Sequence, residues 1–425
     1  MKERVLSRLN HFFKGSFFRN TTFYVGFAFL NRGISFLLIP FFTRSLTREA
    51  YGTYALFLTA AAICEPFVDM CFKDGITYVY YQPSRFSIRR YVSTFFYTSF
   101  FLSLLQLMAL WGLTFVPLGQ WRVPSFLILA PLCALAGAVS AALERTWRVR
   151  ETPVPFGLFS LACVLLQLVL NIGVVIFLRW GWQGLLGTQV ILACFKIFVA
   201  VTVFRRMGWL VRGVDFTHLK FGLKFGLGYL PNNLASRLDG AVGRFFLVRL
   251  HGLGMVGLYS MGQSLGSVVT LYSTSLINVY QPWLYRQFSS GERIDKRKIA
   301  RATLLVFVSI LIFAWLGSAV VYLFSGLILG KNFQGALPFI FWASTSQALN
   351  GMYWVASIFI VYTTKTWILS LLTLGALGQN VLFTWYFIRL SGPIGAAYAP
   401  VLVWFLSLCF SIMTGVRLWR NRSCV

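Results

Sequence analysis

The sequence has little charge, and what it has is unbalanced. Only 12% of the 425 residues are charged, and 11 acidic residues stand against 38 lysines and arginines. A soluble chain of this length would need a far more polar surface, so the composition excludes an ordinary soluble protein. The sequence also lacks a nucleophile elbow, a P-loop and a paired-carboxylate pattern, and we therefore predict that it is not an enzyme.

Clustered metal ligands are also missing. The seven cysteines form no C-x-x-C pair, and the three histidines are far apart, at His11, His218 and His251. These spacings argue against a disulfide framework and a metal site, and we predict no metal and no cofactor. The first twenty residues are basic but contain neither an apolar core nor a small-residue cleavage site, so we expect no cleavable signal peptide.

Long apolar runs are abundant instead. Hydrophobic residues make up 58% of the chain, and the mean hydropathy is +0.72. About twelve runs approach the ~20 residues that one membrane crossing requires, and they are continuous rather than alternating. We predict an all-α integral membrane protein of about 12 transmembrane helices. A polar stretch at 205–220 divides it into an N-terminal six-helix lobe, residues 1–212, and a C-terminal one, residues 213–425.

The net charge of +27 would suggest nucleic-acid binding in a soluble protein. When the apolar runs are threaded through a membrane with the N-terminus inside, most lysines and arginines fall in the inside loops. This bias follows the positive-inside rule and predicts that both termini are cytoplasmic. The basic loops are expected to contact anionic membrane lipids, and we expect no nucleic-acid partner.

Several charged residues nevertheless lie within the apolar runs. Arg32, beside Asn31, sits near the middle of "VGFAFLNRGISFLLIPFFTR", residues 25–44. Each charge at a helix centre costs about 2.5–3.5 kcal/mol on insertion scales. Ion pairing, for example of Arg32 with Glu65, is one interpretation. It leaves an excess of positive charge, which favours an anion site. The basic residues are Arg32, Lys196, Lys224, Arg237 and Arg244, and the acidic ones are Glu65, Asp69 and Asp239.

The two halves of the chain share a weak repeat. Shifting the first half by 205 positions places Arg32 on Arg237 and Gly52 on Gly257, and three further identities fall at Phe41, Arg44 and Tyr54. Six helices per half with the same starting orientation form a parallel repeat, and transporters of this kind bind substrate between their repeats. Arg32 and Arg237 are therefore predicted to face one central cavity. Near Arg237, Pro231 is predicted to bend its helix, and Asn233 to line the cavity.

The segment "NRGISFLLIPFFTRSLTREAYGTYALF" resembles the opening helix pair of polysaccharide and O-antigen flippases of the Wzx type. These belong to the multidrug/oligosaccharidyl-lipid/polysaccharide exporter superfamily. The resemblance is carried by Thr43, Arg44, Leu46, Tyr51 and Gly52, and "GLYSMGQSL" at 257–265 resembles the family's tyrosine-serine segment in the second half.

The resemblance implies two bundles of six helices around a central cavity and alternating access. It implies that the substrate is an oligosaccharide on polyprenyl pyrophosphate, moved from the cytoplasmic to the outer leaflet of a bacterial inner membrane. A polysaccharide polymerase and assembly proteins would be partners. The candidate substrate-binding residues are Arg32, Arg237, Asn31 and Asn233. Glu65, Asp69 and Asp239 are candidates for ion pairing or for coupling to a proton or a sodium ion.

A multidrug or other small-molecule antiporter of the same superfamily is the main alternative. Its cationic substrates would favour an acidic cavity, whereas the charges within these spans are mostly positive. A lipid II flippase usually has additional spans, and the loop "KDGITYVYYQPSRFSIRRY" lacks the pattern of major-facilitator transporters. A membrane scaffold without transport activity would not require buried arginines at equivalent positions.

Overall fold

The computed structural model describes residues 16–115, 124–289, 296–362 and 367–422. The termini, on which the topology prediction partly rests, and the start of the basic stretch at 292–301 lie outside these ranges. Throughout the described residues the regular secondary structure is helical.

Thirteen long helices account for most of the described chain. Short helical turns join several of them, including turns at Phe72–Gly75 and Ile76–Tyr80. The long helices are α1 Ser16–Ser45, α2 Arg48–Asp69, α3 Ile88–Phe115, α4 Ala130–Val149, α5 Pro153–Ile172, α6 Gly181–Arg206, α7 Phe216–His251, α8 Leu253–Gly266, α9 Val268–Ser289, α10 Lys296–Leu323, α11 Leu337–Tyr362, α12 Trp367–Ser391 and α13 Gly395–Arg422.

Each predicted apolar run coincides with a helix, and the predicted all-α membrane fold is confirmed. One run is divided, because α8 and α9 are separated at Ser267. The predicted bend at Pro231 does not interrupt α7, which continues from Phe216 to His251.

By length and hydropathy, seven helical segments among the described residues are sufficient to cross a membrane. The longest comprises α12 and most of α13. Helix α7 is long enough but is not among these seven segments. The seven are Arg48–Asp69, Ile88–Phe115, Ser125–Val149, Pro153–Phe177, Gly181–Arg206, Lys296–Leu323 and Ile368–Gly415.

The described chain divides into two compact units. The N-terminal unit contains the described residues up to Leu38 and Phe57–Leu234, and the C-terminal unit contains Ile39–Leu56 and the described residues from Ala235 onward. Helices α1, α2 and α7 each contribute to both units. The functional lobes at 1–212 and 213–425 therefore remain a prediction, with limits that differ from those of the compact units.

Aromatic packing forms the core of the N-terminal unit. Phe72, Tyr91, Phe95 and Phe204 are fully buried. The rings of Phe72 and Tyr91 stack with centroids 5.7 Å apart, and the Tyr91 hydroxyl donates a hydrogen bond of 2.8 Å to the Phe72 carbonyl. Because lipid tails are as apolar as these side chains, close packing rather than exclusion from water stabilises such a core.

Helix α11 is the centre of the C-terminal unit. It packs against α8, α9, α10 and α13, and small residues let the neighbouring helices approach closely. Ala314, Ala348 and Val355 are fully buried there, together with Ile310 and Leu284. This packing positions the polar groups of α8, α11 and α12 described below.

Candidate functional site

A reciprocal glycine contact joins α2 and α8 within the C-terminal unit. A methyl group on Gly52 would overlap the carbonyl oxygen of Leu253, and one on Gly257 would overlap the carbonyl oxygen of Arg48. The 205-residue shift relates Gly52 to Gly257 and Arg48 to Leu253. Gly52 therefore contacts Leu253, the repeat counterpart of Arg48, and Gly257 contacts Arg48 itself. This reciprocal geometry supports the internal repeat.

The motif residues around Gly52 also bind neighbouring helices. The Tyr51 hydroxyl lies 3.3 Å from the Ser264 hydroxyl, and its ring packs edge-on against Phe333. Arg44 donates a hydrogen bond of 2.9 Å to the carbonyl of Leu327. Within the C-terminal unit, these residues serve helix packing.

The two candidate arginines lie on long helices, Arg32 on α1 in the N-terminal unit and Arg237 on α7 in the C-terminal unit. Both side chains are exposed at the surface of their own unit. A guanidinium at membrane depth is strongly disfavoured in lipid and faces protein or a water-filled space. The joint action of the two arginines on one substrate remains a prediction.

The two candidate asparagines already make contacts within the protein. The Asn31 side-chain amide donates to the Ser160 hydroxyl and thereby links α1 to α5. The Asn233 amide donates a hydrogen bond of 3.3 Å to the Tyr229 carbonyl in its own helix. Amides at membrane depth often join or support helices in this way, and the predicted contact with substrate remains a prediction for both.

Glu65 and Asp69 form an acid–lysine cluster with Lys73 in the N-terminal unit. The Lys73 ammonium lies 2.9 Å from a carboxylate oxygen of Asp69 and 3.2 Å from one of Glu65. The Asp69 side chain is fully buried. Lys73 was not among the candidate residues predicted from the sequence, and its pairing with these two acids was not predicted. Pairing between Arg32 and Glu65 remains a prediction.

The backbone after α2 brings Lys73 back to the two acids. Met70 and Cys71 adopt φ values of 45° and 58°, in the left-handed region that side chains other than glycine rarely occupy. The Cys71 amide donates a hydrogen bond of 3.1 Å to Asp69. Gly226 of α7 approaches this turn so closely that a methyl group would overlap the Met70 carbonyl oxygen.

Lys73 lies beyond the last residue of α2 and is charged. Burial lowers the pKa of its ammonium group, but the carboxylates of Asp69 and Glu65 more than compensate and raise the pKa above its ordinary value. A second ion pair, between Asp74 and Arg145 of α4, follows directly. The acids at the end of α2 therefore have a built-in counter-ion.

The C-terminal unit contains a polar cavity of about 310 Å³. Two charged side chains, several amides and several hydroxyl groups line it. We call it the C-terminal polar cavity. It is lined by Asp239, Gly240, Arg244, Tyr259, Gln263, Ser264, Ser267, Ser346, Gln347, Asn380, Pro400 and Trp404.

Asp239 is held in this cavity by α12. The Asn380 amide donates a hydrogen bond of 2.6 Å to the Asp239 carboxylate and another of 3.2 Å to the Asp239 carbonyl. The Thr384 hydroxyl in turn donates a hydrogen bond of 3.0 Å to the side-chain amide oxygen of Asn380. This chain of hydrogen bonds fixes the direction of the carboxylate.

Among the described residues, no basic nitrogen lies within ion-pair distance of Asp239. Arg244 lines the same cavity, but its guanidinium donates to the Ser260 hydroxyl and the Gly240 carbonyl, each at 3.1 Å. A carboxylate without a basic partner, in a cavity lined by amides and hydroxyl groups, is suited to a proton or a hard cation.

Three residues of α8, Tyr259, Gln263 and Ser264, line this cavity, and Ser267 lines it directly after the helix ends. Tyr259 and Gln263 are four residues apart, so they lie on one face of α8. The Gln263 amide donates a hydrogen bond of 3.1 Å to the Tyr259 hydroxyl. The four-residue spacing is visible in the sequence, but the sequence did not predict a cavity here. Among the described residues, no three His, Cys, Asp or Glu side chains form a metal-binding group.

Comparison with known proteins identifies a matching protein family. The family of polysaccharide biosynthesis proteins matches residues 17–288. An uncharacterized membrane protein of Haemophilus influenzae is 22% identical over 388 residues, which cover 87% of this chain and 92% of the relative.

Solved transporters share the fold. A multidrug resistance MATE family transporter of the MOP superfamily, in an inward-facing conformation, matches with a TM-score of 0.66 at 14% identity over 95% of each chain. The lipid II flippase MurJ, in an inward closed conformation, matches with a TM-score of 0.67 at 13% identity over 92% of this chain and 87% of its own. At these identities the likeness concerns the fold alone.

Proposed function

The chain belongs to the family of polysaccharide biosynthesis proteins, and from this premise we propose that it is a flippase for lipid-linked oligosaccharides. The family match confirms the resemblance drawn from the opening helix pair, and the fold is that of transporters and flippases. The proposed substrate is a sugar repeat unit of O-antigen or a similar polysaccharide on polyprenyl pyrophosphate. It moves from the cytoplasmic to the outer leaflet of a bacterial inner membrane, by alternating access, with both termini cytoplasmic.

The observation that carries this proposal is the exposure of Arg32 and Arg237 at repeat-related positions within the long helices α1 and α7. Neither arginine is enclosed by its own unit. Since lipid would disfavour both, a hydrated and positively charged surface at membrane depth is the environment that suits them. Such a surface attracts an anionic headgroup and repels cationic drugs.

The chemistry of arginine matches a pyrophosphate. A guanidinium remains charged in a medium of low dielectric and presents paired donors that bind two phosphate oxygens together. The sugar portion would then be held by weaker, exchangeable contacts with amides and aromatic rings. An anion held by charge-assisted bonds can be released when alternating access changes the distance to either arginine.

We assign the coupling role to Asp239 rather than to Glu65 or Asp69. The carboxylate of Asp239 has no basic partner among the described residues, whereas Lys73 neutralises the other two acids. Binding of a proton or a sodium ion at Asp239 would change the charge of the C-terminal polar cavity. It would thereby couple the ion gradient to the C-terminal unit.

The multidrug antiporter remains the second candidate, because the matching fold of the MATE transporter suits it equally well. Deletion of the gene in its native host separates the two. Our proposal predicts loss of surface polysaccharide, accumulation of lipid-linked repeat units and unchanged drug resistance, all restored by the wild-type gene. Increased drug sensitivity with normal polysaccharide would overturn the proposal in favour of the antiporter.

A further inference from the structure

An apolar groove lies between α10, α11 and α13 in the C-terminal unit. Its volume is about 310 Å³. Leu304 and Phe307 of α10 form one wall, Phe359 of α11 another, and Ile412 of α13 a third. We call this the α10 groove. Because Leu304 and Ile412 are exposed in a chain that spans a membrane, the groove opens toward the hydrocarbon region.

The two hydroxyl groups that line the α10 groove are already used within the protein. The Thr303 hydroxyl lies 2.6 Å from the Tyr280 hydroxyl and donates a hydrogen bond of 2.8 Å to the Ile299 carbonyl. The Ser411 hydroxyl lies 3.5 Å from that of Ser357. The groove therefore suits a hydrocarbon chain better than a sugar.

A single charged residue, Lys296, lines the groove, and it is the first residue of α10. The first turn of α10 contains Lys296, Arg297 and Lys298 and no acidic residue. The Lys296 ammonium therefore supplies positive charge at one end of the groove, where it can attract an anionic headgroup.

A second apolar cavity at the other end of α10 provides a comparison. It has a volume of about 560 Å³ and is lined by Trp315, Ala319 and Tyr322 of α10 and by Phe341 of α11, among others. No charged residue lines it. The same pair of helices thus forms two apolar cavities, and only the one at the N-terminal end of α10 combines hydrocarbon contacts with positive charge.

We propose that the α10 groove binds one anionic phospholipid, with an acyl chain along Leu304 and Phe307 and the phosphate at Lys296. Lysine binds a phosphate as a point charge, which is sufficient for a phosphodiester, whereas bidentate recognition of pyrophosphate favours arginine. Basic pockets between transmembrane helices on the cytoplasmic side are typical sites for anionic headgroups. In the predicted topology, the occupant comes from the cytoplasmic leaflet. This site does not depend on the transported substrate.

Native mass spectrometry of the purified full-length chain tests this site. The protein is titrated with phosphatidylglycerol or with phosphatidylethanolamine, and the bound lipids are counted. We expect one phosphatidylglycerol to be retained in preference to the zwitterionic lipid. Lys296→Gln should weaken its retention about fivefold, the contribution expected of one lysine near a membrane surface. Arg297→Gln removes the same charge from the same helix turn, but it does not line the groove and should have little effect.

Filling the cavities supplies a second test. Ala300 and Ala319 are both exposed on α10, and one lines the α10 groove while the other lines the uncharged cavity. Ala300→Trp should reduce phosphatidylglycerol retention, and Ala319→Trp should leave it unchanged. Equal retention of both lipids by the wild type, or equal behaviour of the Lys296 and Arg297 variants, would overturn the proposal. So would retention that is unaffected by Ala300→Trp.

Discussion

Asp69 at the end of α2 and Asp239 within α7 are acids on long helices, one in each compact unit. The two carboxylates have different partners. Lys73 lies 2.9 Å from Asp69 and also pairs with Glu65. Asp239 is hydrogen-bonded by Asn380 and has no basic partner among the described residues. The first acid is part of a completed ion network, and the second is not.

This difference teaches how two acids in a membrane protein can serve separate purposes. A buried carboxylate that is neutralised by an internal ammonium has no need of an external cation, and its contribution is structural. A carboxylate that is held only by an amide gains from binding a proton or a cation. The comparison therefore predicts a structural role for the acid–lysine cluster and a coupling role for the C-terminal polar cavity.

The largest effect is expected from Lys73→Met. This change leaves Glu65 and Asp69 close together without their ammonium partner, and breaking a buried ion pair typically costs about 3–5 kcal/mol. Thermal unfolding of the purified protein should show a much lower midpoint. Lys298→Met, at an exposed position, is the matched control and should be nearly neutral.

A triple variant sharpens this result. Glu65→Gln and Asp69→Asn combined with Lys73→Met remove all three charges at once, and a neutral replacement of a buried ion network is often tolerated. Much of the stability should return. If Lys73→Met alone were as stable as the wild type, the acid–lysine cluster would not stabilise the fold. The structural role assigned to Asp69 would then be wrong.

The arginine pair is expected to have the next largest effect, on transport rather than on folding. Charge-assisted hydrogen bonds contribute about 1.5–3 kcal/mol each, so Arg32→Ala and Arg237→Ala should each reduce flipping about 10- to 100-fold. Lysine at either position should retain partial activity, because it supplies the charge without the paired donors. The measurement is restoration of surface polysaccharide in a strain that lacks the gene, at equal protein level.

Arg44 and Arg249 provide a control for this experiment, since the same repeat relates them but they lie near the ends of α1 and α7. Alanine at Arg249 should reduce flipping far less than alanine at Arg237. The double variant of Arg32 and Arg237 should be no worse than the poorer single variant if both bind one pyrophosphate. Wild-type complementation by both single alanine variants would refute an anion-binding role.

The repeat and the apolar runs made much of the fold predictable from sequence. Continuous hydrophobic stretches determine where helices cross a membrane, and each predicted run coincides with a helix except that one run is divided into α8 and α9 at Ser267. The 205-residue shift also aligned Gly52 with Gly257. The sequence alone did not show that the two glycines lie in contact.

The acid–lysine cluster was less accessible to sequence reasoning, because it depends on a local turn. Lys73 follows an apolar run and has the appearance of a loop charge. Left-handed conformations at Met70 and Cys71 return it to Asp69, and neither residue type signals such a conformation. Similarly, Asn380 is far from Asp239 in the sequence, and only the packing of α12 against α7 brings them together.

Asp239→Asn tests the coupling role of the C-terminal polar cavity. Asparagine preserves the shape and can still be hydrogen-bonded by Asn380, but it cannot bind a proton and holds a cation more weakly. We expect transport in proteoliposomes to lose its dependence on an imposed proton or sodium gradient, with only a modest decrease in stability. Glu65→Gln is the matched control and should leave the gradient dependence intact. An unaltered gradient dependence in Asp239→Asn would contradict the assignment of coupling to this cavity.

The smallest effect concerns Asp215, which directly precedes α7 and lies outside the seven segments that are sufficient to cross a membrane. Its carboxylate caps the helix by accepting hydrogen bonds from the amides of Thr217 and His218, at 2.9 and 3.2 Å. It also lies 3.0 Å from the His218 imidazole and 3.1 Å from the Arg90 guanidinium. The hydrogen bonds from His218 are the main reason that the pKa of Asp215 is below its ordinary value, and Arg90 lowers the pKa further.

A lowered pKa in the folded state means that the Asp215 carboxylate stabilises the protein above its unfolded pKa of 3.8 and loses this contribution as the pH falls further. Asp215→Ala should therefore lower the unfolding midpoint at neutral pH, by an amount equivalent to about 1 kcal/mol for a lost helix cap. Below the ordinary pKa of aspartate, the difference between variant and wild type should narrow. Asp215→Asn keeps a capping oxygen but removes the charge, so it should be less destabilising and should show the same acid dependence. A variant-to-wild-type difference that stays constant from neutral to acid pH would mean that the cap alone, and not the ionised carboxylate, stabilises the start of α7.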